Sequence, residues 1–257
     1  SPDGKTLAVA DSTRGGFDLV DASSGVVTPV YYKQESYEAG SYSVAWGADG
    51  TVLVDGEFNG SGWVPLRRYD PATATFSTIA SVRQDSMLSP SADRKTIGIV
   101  ESNASNGQVD IYGVAAGKYI ATIGDGWFNF DLATNPNGTQ FVVPTYGGAY
   151  VYSLSGGTLY QQTVIGAYAS HGPLAAAYSP TSHYLFTAEY DTGGLVSGVK
   201  VYDTKTYAQV ASLDGYPFTW SGNAAGPGLM RVSPDGRTLA VSEGAGTKVF
   251  DVTAYSA

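Results

Sequence analysis

Short apolar runs recur along this chain, each standing behind a similar polar turn. The run Leu239-Ala240-Val241 follows Ser233-Pro234-Asp235-Gly236-Arg237-Thr238, and the chain opens on a near twin, Ser1-Pro2-Asp3-Gly4-Lys5-Thr6 before Leu7-Ala8-Val9. Pro presets φ, Asp hydrogen-bonds its own backbone and Gly takes the positive φ that other residues resist, so the motif predicts a tight turn feeding a buried strand. Related turns start at Gly47, Ser91, Asn135 and Ser179, which puts the six starts 46, 44, 44, 44 and 54 residues apart. A second landmark follows each turn, an apolar or aromatic run that ends in Asp in four of the six: Phe17 to Asp21, Leu66 to Asp70, Val109 to Gly113, Ala149 to Ser153, Val199 to Asp203 and Lys248 to Asp251.

Two landmarks kept in register six times predict four short strands per unit. Strand A precedes the turn (43–46, near 88, 130–133, 175–178 and 229–232). Strand B follows it (6–10, 51–54, 96–100, 140–143, 184–188 and 238–242). Strand C carries the second landmark. Strand D closes the unit (26–32, 76–79, 119–123, 159–164 and 208–213). A four-stranded period of roughly 40–50 residues is that of an all-β propeller of antiparallel blades. A β-sandwich would not hold the period, and a parallel β-helix needs a shorter one. The six units cover about 1–32, 43–82, 86–123, 129–165, 174–213 and 228–257 of a single domain, 1–257. The first lacks strand A and the last lacks strand D. The expectation is an excerpt of a longer chain whose intact ring has six or seven blades.

Composition supports short strands joined by turns. With 33 Gly, 19 Tyr and only 14% charged residues, it disfavours helices. The net charge of −9 and the lack of any Lys/Arg cluster argue against nucleic acid. No apolar run approaches the ~20 residues of a membrane span. There is no Cys, which excludes disulfides and thiolate metal sites. Few Lys, much Gly, Ser, Tyr and Thr, and Asn-x-Ser/Thr sequences at Asn59, Asn103 and Asn137 lean towards an extracellular or cell-surface protein.

The motif Ser-Pro-Asp-Gly-Lys/Arg-Thr-Leu-Ala-Val, with Val201-Tyr202-Asp203 and Thr206 behind, resembles the YVTN-type and lactonase-like propellers, relatives in pattern of the WD-repeat proteins. The resemblance covers the whole chain and implies the fold. Its families include scaffolds, surface proteins, binding modules and a few hydrolases, so it leaves function to the site. In propellers of this type the A–B and C–D turns share one end of the blades, and the D–A and B–C loops the other, around the channel mouth.

Candidate chemistry therefore lies in the loops that do not repeat. They gather aromatics and carboxylates suited to stacking a sugar ring or anchoring a protein partner. The expected binding residues are Trp63, Trp127, Phe128, Tyr190, Tyr216, Phe218 and Trp220, the last three in the long insertion 214–228. The leading expectation is a non-enzymatic binding or structural propeller, a scaffold that holds a protein or glycan on its variable-loop face. The alternative is a lactonase-like hydrolase with a metal in the channel, for which Glu38 and Asp131 are the candidate ligands. Asp131, on an A strand, could equally accept hydrogen bonds from neighbouring A-strand amides. His171, beside Ser170 in a mouth loop, is the one candidate for catalysis; adjacency to a serine does not make a triad. No phosphate loop, quinone-type Trp repeat or Asp-x-Asp-x-Asp calcium loop is visible, so no cofactor is expected. The unpaired terminal strands further suggest self-assembly by strand addition.

Overall fold

The computed structural model describes residues 1–58, 62–83, 86–101, 108–124, 129–145, 147–166, 173–190, 196–213, 230–243 and 246–256. Their secondary structure is almost wholly β. The chain divides into two compact units, Ser1–Gly124 and Asp125–Ala257.

The first unit holds three antiparallel sheets. They comprise β1 (Thr6–Ala10), β2 (Gly16–Asp21) and β3 (Val27–Tyr31); then β4 (Glu38–Trp46), β5 (Val52–Phe58), β6 (Trp63–Asp70) and β7 (Thr75–Arg83); then β8 (Ser86–Pro90), β9 (Thr96–Glu101), β10 (Gln108–Gly113) and β11 (Lys118–Gly124). The second unit holds β12 (Ala133–Thr134), β13 (Gln140–Thr145), β14 (Gly148–Ser155) and β15 (Thr158–Ile165); then β16 (Pro173–Tyr178), β17 (Tyr184–Tyr190), β18 (Val196–Asp203) and β19 (Gln209–Leu213); then β20 (Met230–Val232), β21 (Thr238–Glu243) and β22 (Gly246–Asp251), before a short 3-10 turn at Thr253–Tyr255. Every sheet pairs its strands in chain order, one sheet per repeat. Among the described residues the first sheet has no strand A and the last no strand D, as the repeat count predicts.

Strand boundaries differ from the expectation at functional positions. β4 starts at Glu38, inside the stretch read as a loop, and Trp63 opens β6 while Tyr190 ends β17. In the fourth repeat the predicted strand 130–133 is only β12 plus a bridge from Asn129 to Thr145. Phe130 and Leu132 are nevertheless buried.

All six residues of the inner strands β9 and β16 are buried. Their sequences accordingly lose the apolar–polar alternation of a one-sided strand. Within the first unit, Phe17, Val30 and Tyr32 meet Val52, Val54 and Tyr69 between the first two sheets. Leu53, Val64 and Leu66 meet Ile97, Ile99 and Tyr112 between the next two. Within the second unit, Ala133, Val142 and Val151 gather with Ala176, Tyr178 and Leu185, and Phe186, Val199 and Val201 with Leu239 and Val241.

The repeated turns are closed hydrogen-bond systems. Ser1 Oγ donates to Asp3 Oδ1 at 2.6 Å and accepts the Thr6 N–H at 2.9 Å, while Asp3 Oδ1 accepts the Lys5 N–H at 3.1 Å. Ser233, Asp235, Arg237 and Thr238 repeat this at 2.5, 2.9 and 3.1 Å, and Ser91, Asp93, Lys95 and Thr96 follow the same plan. The turn needs positive φ at its fourth residue. Gly4 and Gly236 supply it at 71° and 73°, and Arg94 and Ser182, where the motif departs from Gly, are still held at 56° and 63°. The geometry of the turn overrides the local preference.

Hydroxyl and backbone donors hold several turn carboxyls below the ordinary carboxylate range: Ser1 then Lys5 for Asp3, Ser233 then Arg237 for Asp235, and Thr253 for Asp251. A pKa depressed by folding contributes stability that is complete above the unfolded carboxylate value and lost as pH falls through the folded one. Glu101 has the opposite sign: burial raises it, so protonation favours the fold. The depressed aspartates outnumber it. Urea midpoints are therefore expected to stay level from about pH 7 to 5 and to fall below about pH 4. A midpoint that rises on acidification below pH ~4 would contradict this account of the turns.

Candidate binding surface

At the end of the sheets opposite these turns, the first unit carries three groups of arginine, carboxylate and aromatic side chains. They come from different connections and share no motif.

The first group centres on Arg14, between β1 and β2. Its Nε donates to Asp11 Oδ2 at 2.5 Å, Nη2 reaches Asp18, and Nη1 donates to the Tyr31 hydroxyl at 2.8 Å. The guanidinium also lies 4.9 Å from the centre of the Tyr31 ring. Tyr31 itself is 64% exposed.

The second group is buried. Glu38 and Arg67 form a two-pronged ion pair, Oε1 to Nη1 and Oε2 to Nη2 both at 2.7 Å. The Glu35 N–H donates to Glu38 Oε2 at 2.7 Å, and Arg67 stacks over Tyr32 at 4.0 Å. Burial pushes the Tyr32 hydroxyl pKa up. Gly56 makes room for the carboxylate, since a Cβ there would stand 2.2 Å from Glu38 Oε1. The sequence presents Glu38 as a candidate metal ligand; both of its oxygens are instead engaged by the guanidinium.

The third group lies where the second and third sheets meet. Trp63, 52% exposed, sits directly across from Arg83 in the β6–β7 register. The Arg83 N–H donates to Glu101 Oε1 at 3.4 Å, and Arg83 Nε is buried without a hydrogen bond. Burial raises the Glu101 pKa, with Arg83 pulling it down and Asp110 adding to the rise. Asp110 is itself buried and accepts from Thr122 Oγ1 at 2.5 Å and Gln108 Nε2 at 2.9 Å.

Asp131, the other candidate metal ligand, is fully buried, and its Oδ2 accepts the Ala176 N–H of β16 at 3.3 Å. Ser43 occupies the same place in the second repeat, where its Oγ accepts the Leu88 N–H of β8 at 3.1 Å. A polar side chain at this position thus ties one inner strand to the next. Among the described residues no three His, Cys, Asp or Glu side chains gather as a metal-ligand set.

Trp127, Phe128, His171, Tyr216, Phe218 and Trp220 lie outside the described residues, and Tyr190 is placed by its backbone only. Trp63 is the sequence-selected aromatic that stands exposed; Tyr37, 38% exposed, joins it from the connection before β4. The loop inventory missed Tyr31 and the three arginines. Arg67 lies within the landmark Leu66 to Asp70, and a cation amid buried strand residues was the available signal.

No protein-family model matches the chain, and no curated protein matches it. Solved structures do share its fold. Kuenenia stuttgartiensis hydrazine synthase aligns with a TM-score of 0.72 at 18% identity, over 98% of this chain and 75% of that one. The C-terminal WD40 domain of Sif2 aligns with a TM-score of 0.64 at 16% identity, over 98% of this chain and 65% of that one. The fold is that of a β-propeller, with six antiparallel sheets of three or four strands among the described residues. One likeness is to an enzyme and the other to a WD40 domain; at these identities they establish the fold alone.

Removing one partner of a buried ion pair leaves the other charge uncompensated, at a typical cost of about 3–5 kcal/mol. Glu38→Gln is expected to lower the unfolding free energy by an amount of this order, measured by urea denaturation. The double variant Glu38→Leu/Arg67→Met should recover much of that loss. A Glu38→Gln protein as stable as the parent would remove the pair from the account.

Proposed function

We propose that this chain is a non-enzymatic binding propeller that holds a protein partner on the end of its blades carrying the unlike loops, in an extracellular or cell-surface setting. The observation that carries the proposal is the contrast between the two ends. One end repeats closed Ser–Asp–backbone turns whose polar groups are already satisfied. The other presents Tyr31, Tyr37 and Trp63 exposed, with Arg14 and Arg83 beside two of them.

Trp, Tyr and Arg are the residues that most often dominate protein interfaces, since they bury large areas with few rotors to freeze. Trp63 fits such an anchor: it is 52% exposed and stands directly across from Arg83. A glycan would use the same ring by stacking, so the partner class is what the test must separate. The extracellular setting rests on composition, few Lys and many Gly, Ser, Thr and Tyr.

The test is selection of a displayed peptide library against the immobilised protein, with a glycan array alongside. Trp63→Ala is expected to weaken the selected peptides at least ~10-fold, as hot-spot truncation does. Lys5→Ala, at the turn end, should leave them unchanged. Selected peptides indifferent to Trp63→Ala, or binding confined to the glycan array, would overturn the reading.

A further inference from the structure

At this end of the first unit three arginines each stand by an aromatic ring, and two of them also hold a carboxylate. Arg14 binds Asp11 and Asp18 beside Tyr31. Arg67 binds both oxygens of Glu38 over the ring of Tyr32. Arg83 stands across from Trp63 and completes no such set. Among the described residues its guanidinium has no hydrogen bond and no ion pair, and its buried Nε is left without an acceptor.

Glu101 is the carboxylate of this third group, and it is engaged with the main chain. Its Oε1 accepts the Arg83 backbone N–H at 3.4 Å, while the Arg83 carbonyl accepts the Ser86 hydroxyl at 2.6 Å. These two bonds hold the Arg83 backbone on both sides. The guanidinium therefore extends from a fixed point, next to a ring that is 52% exposed. A group presented in this way has less freedom to lose on binding. Its planar fork matches a carboxylate, as Arg67 and Glu38 demonstrate within the same unit.

We propose that the partner supplies the missing carboxylate: a peptide segment that covers Trp63 and sets one carboxylate on the terminal nitrogens of Arg83. The proposal rests on the reading of this end as a protein-binding surface and names the chemistry of what it holds. One carboxylate is required rather than an acidic run, because the chain's own net charge of −9 repels the latter. It comes from an Asp or Glu side chain or from a chain terminus, two sources that the test separates.

Peptides are selected on the immobilised protein from two displayed libraries, one of them with free C-termini, then synthesised and titrated by fluorescence anisotropy. In each peptide Asp and Glu are replaced in turn by Asn and Gln, and the C-terminus is amidated. One of these changes is expected to weaken binding to the parent at least ~10-fold, and to alter binding to Arg83→Gln less than ~2-fold. A side-chain replacement that does so identifies Asp or Glu as the source, and amidation identifies the terminus. Should Arg83→Gln fail to fold by circular dichroism, Arg83→Leu takes its place. Asp85, two residues on in sequence and outside the described residues, is a control: Asp85→Asn should leave the pattern unchanged. Three results would overturn the proposal and leave the binding surface standing: Trp63-dependent peptides whose carboxylates can all be replaced without loss, a loss that persists in full on Arg83→Gln, or a carboxylate requirement seen only with Asp85→Asn. A selection that yields no Trp63-dependent peptide would overturn both.

Discussion

The packing of one sheet face on the next is the interaction on which the rest of this protein depends. A single four-stranded blade cannot bury both of its faces, so its inner strands acquire a core only from neighbours. The pairs Val52/Val54, Ile97/Ile99 and Leu239/Val241 show the result, each sealed against the blade before it. Their burial fixes register, because a one-residue slip would bring the opposite face forward. Polar side chains at Ser43 and Asp131 add a second tie between inner strands, accepting N–H groups of the next sheet.

That scaffold separates the ends of the strands into two chemical classes. Turns at one end are local: a serine, an aspartate and backbone amides satisfy one another within six residues, and even Arg94 and Ser182 adopt the positive φ that glycine takes elsewhere. Connections at the other end draw on distant parts of the chain. Glu38 meets Arg67 from another strand, with Tyr32, just past β3, stacked on the guanidinium, and the Arg83 backbone N–H donates to Glu101 of the following sheet. Because these loops are not needed to close a turn, they can differ, and difference is what a binding surface requires.

The fold was legible in the sequence because its signals are local. Turn chemistry at Ser1 and Ser233, the aromatic-Asp landmark and the interval near 44 residues identify the repeat without any long-range information. Strand ends were less legible. β4 extends back to Glu38 because the Glu38–Arg67 pair and the Ser41 hydroxyl, which donates to Gly16 O at 2.6 Å, hold it in place. Arg67 was missed because a cation in a strand reads as solvent-facing, whereas it is buried between two sheets. Glu38 looked like a metal ligand for the same reason: its partner lies 29 residues away and nothing local announces it.

The central claim is that blade-on-blade burial, and not strand pairing alone, stabilises the fold. Comparing Ile97→Ala with Leu7→Ala by urea unfolding of dilute protein tests it most directly, because the two residues are aliphatic, similar in size and in the same place of the repeat, one buried and the other 55% exposed. Truncating the buried Ile97 should cost about 2–5 kcal/mol, and truncating the exposed Leu7 less than about 0.5 kcal/mol. Equal losses at the two positions would contradict the account.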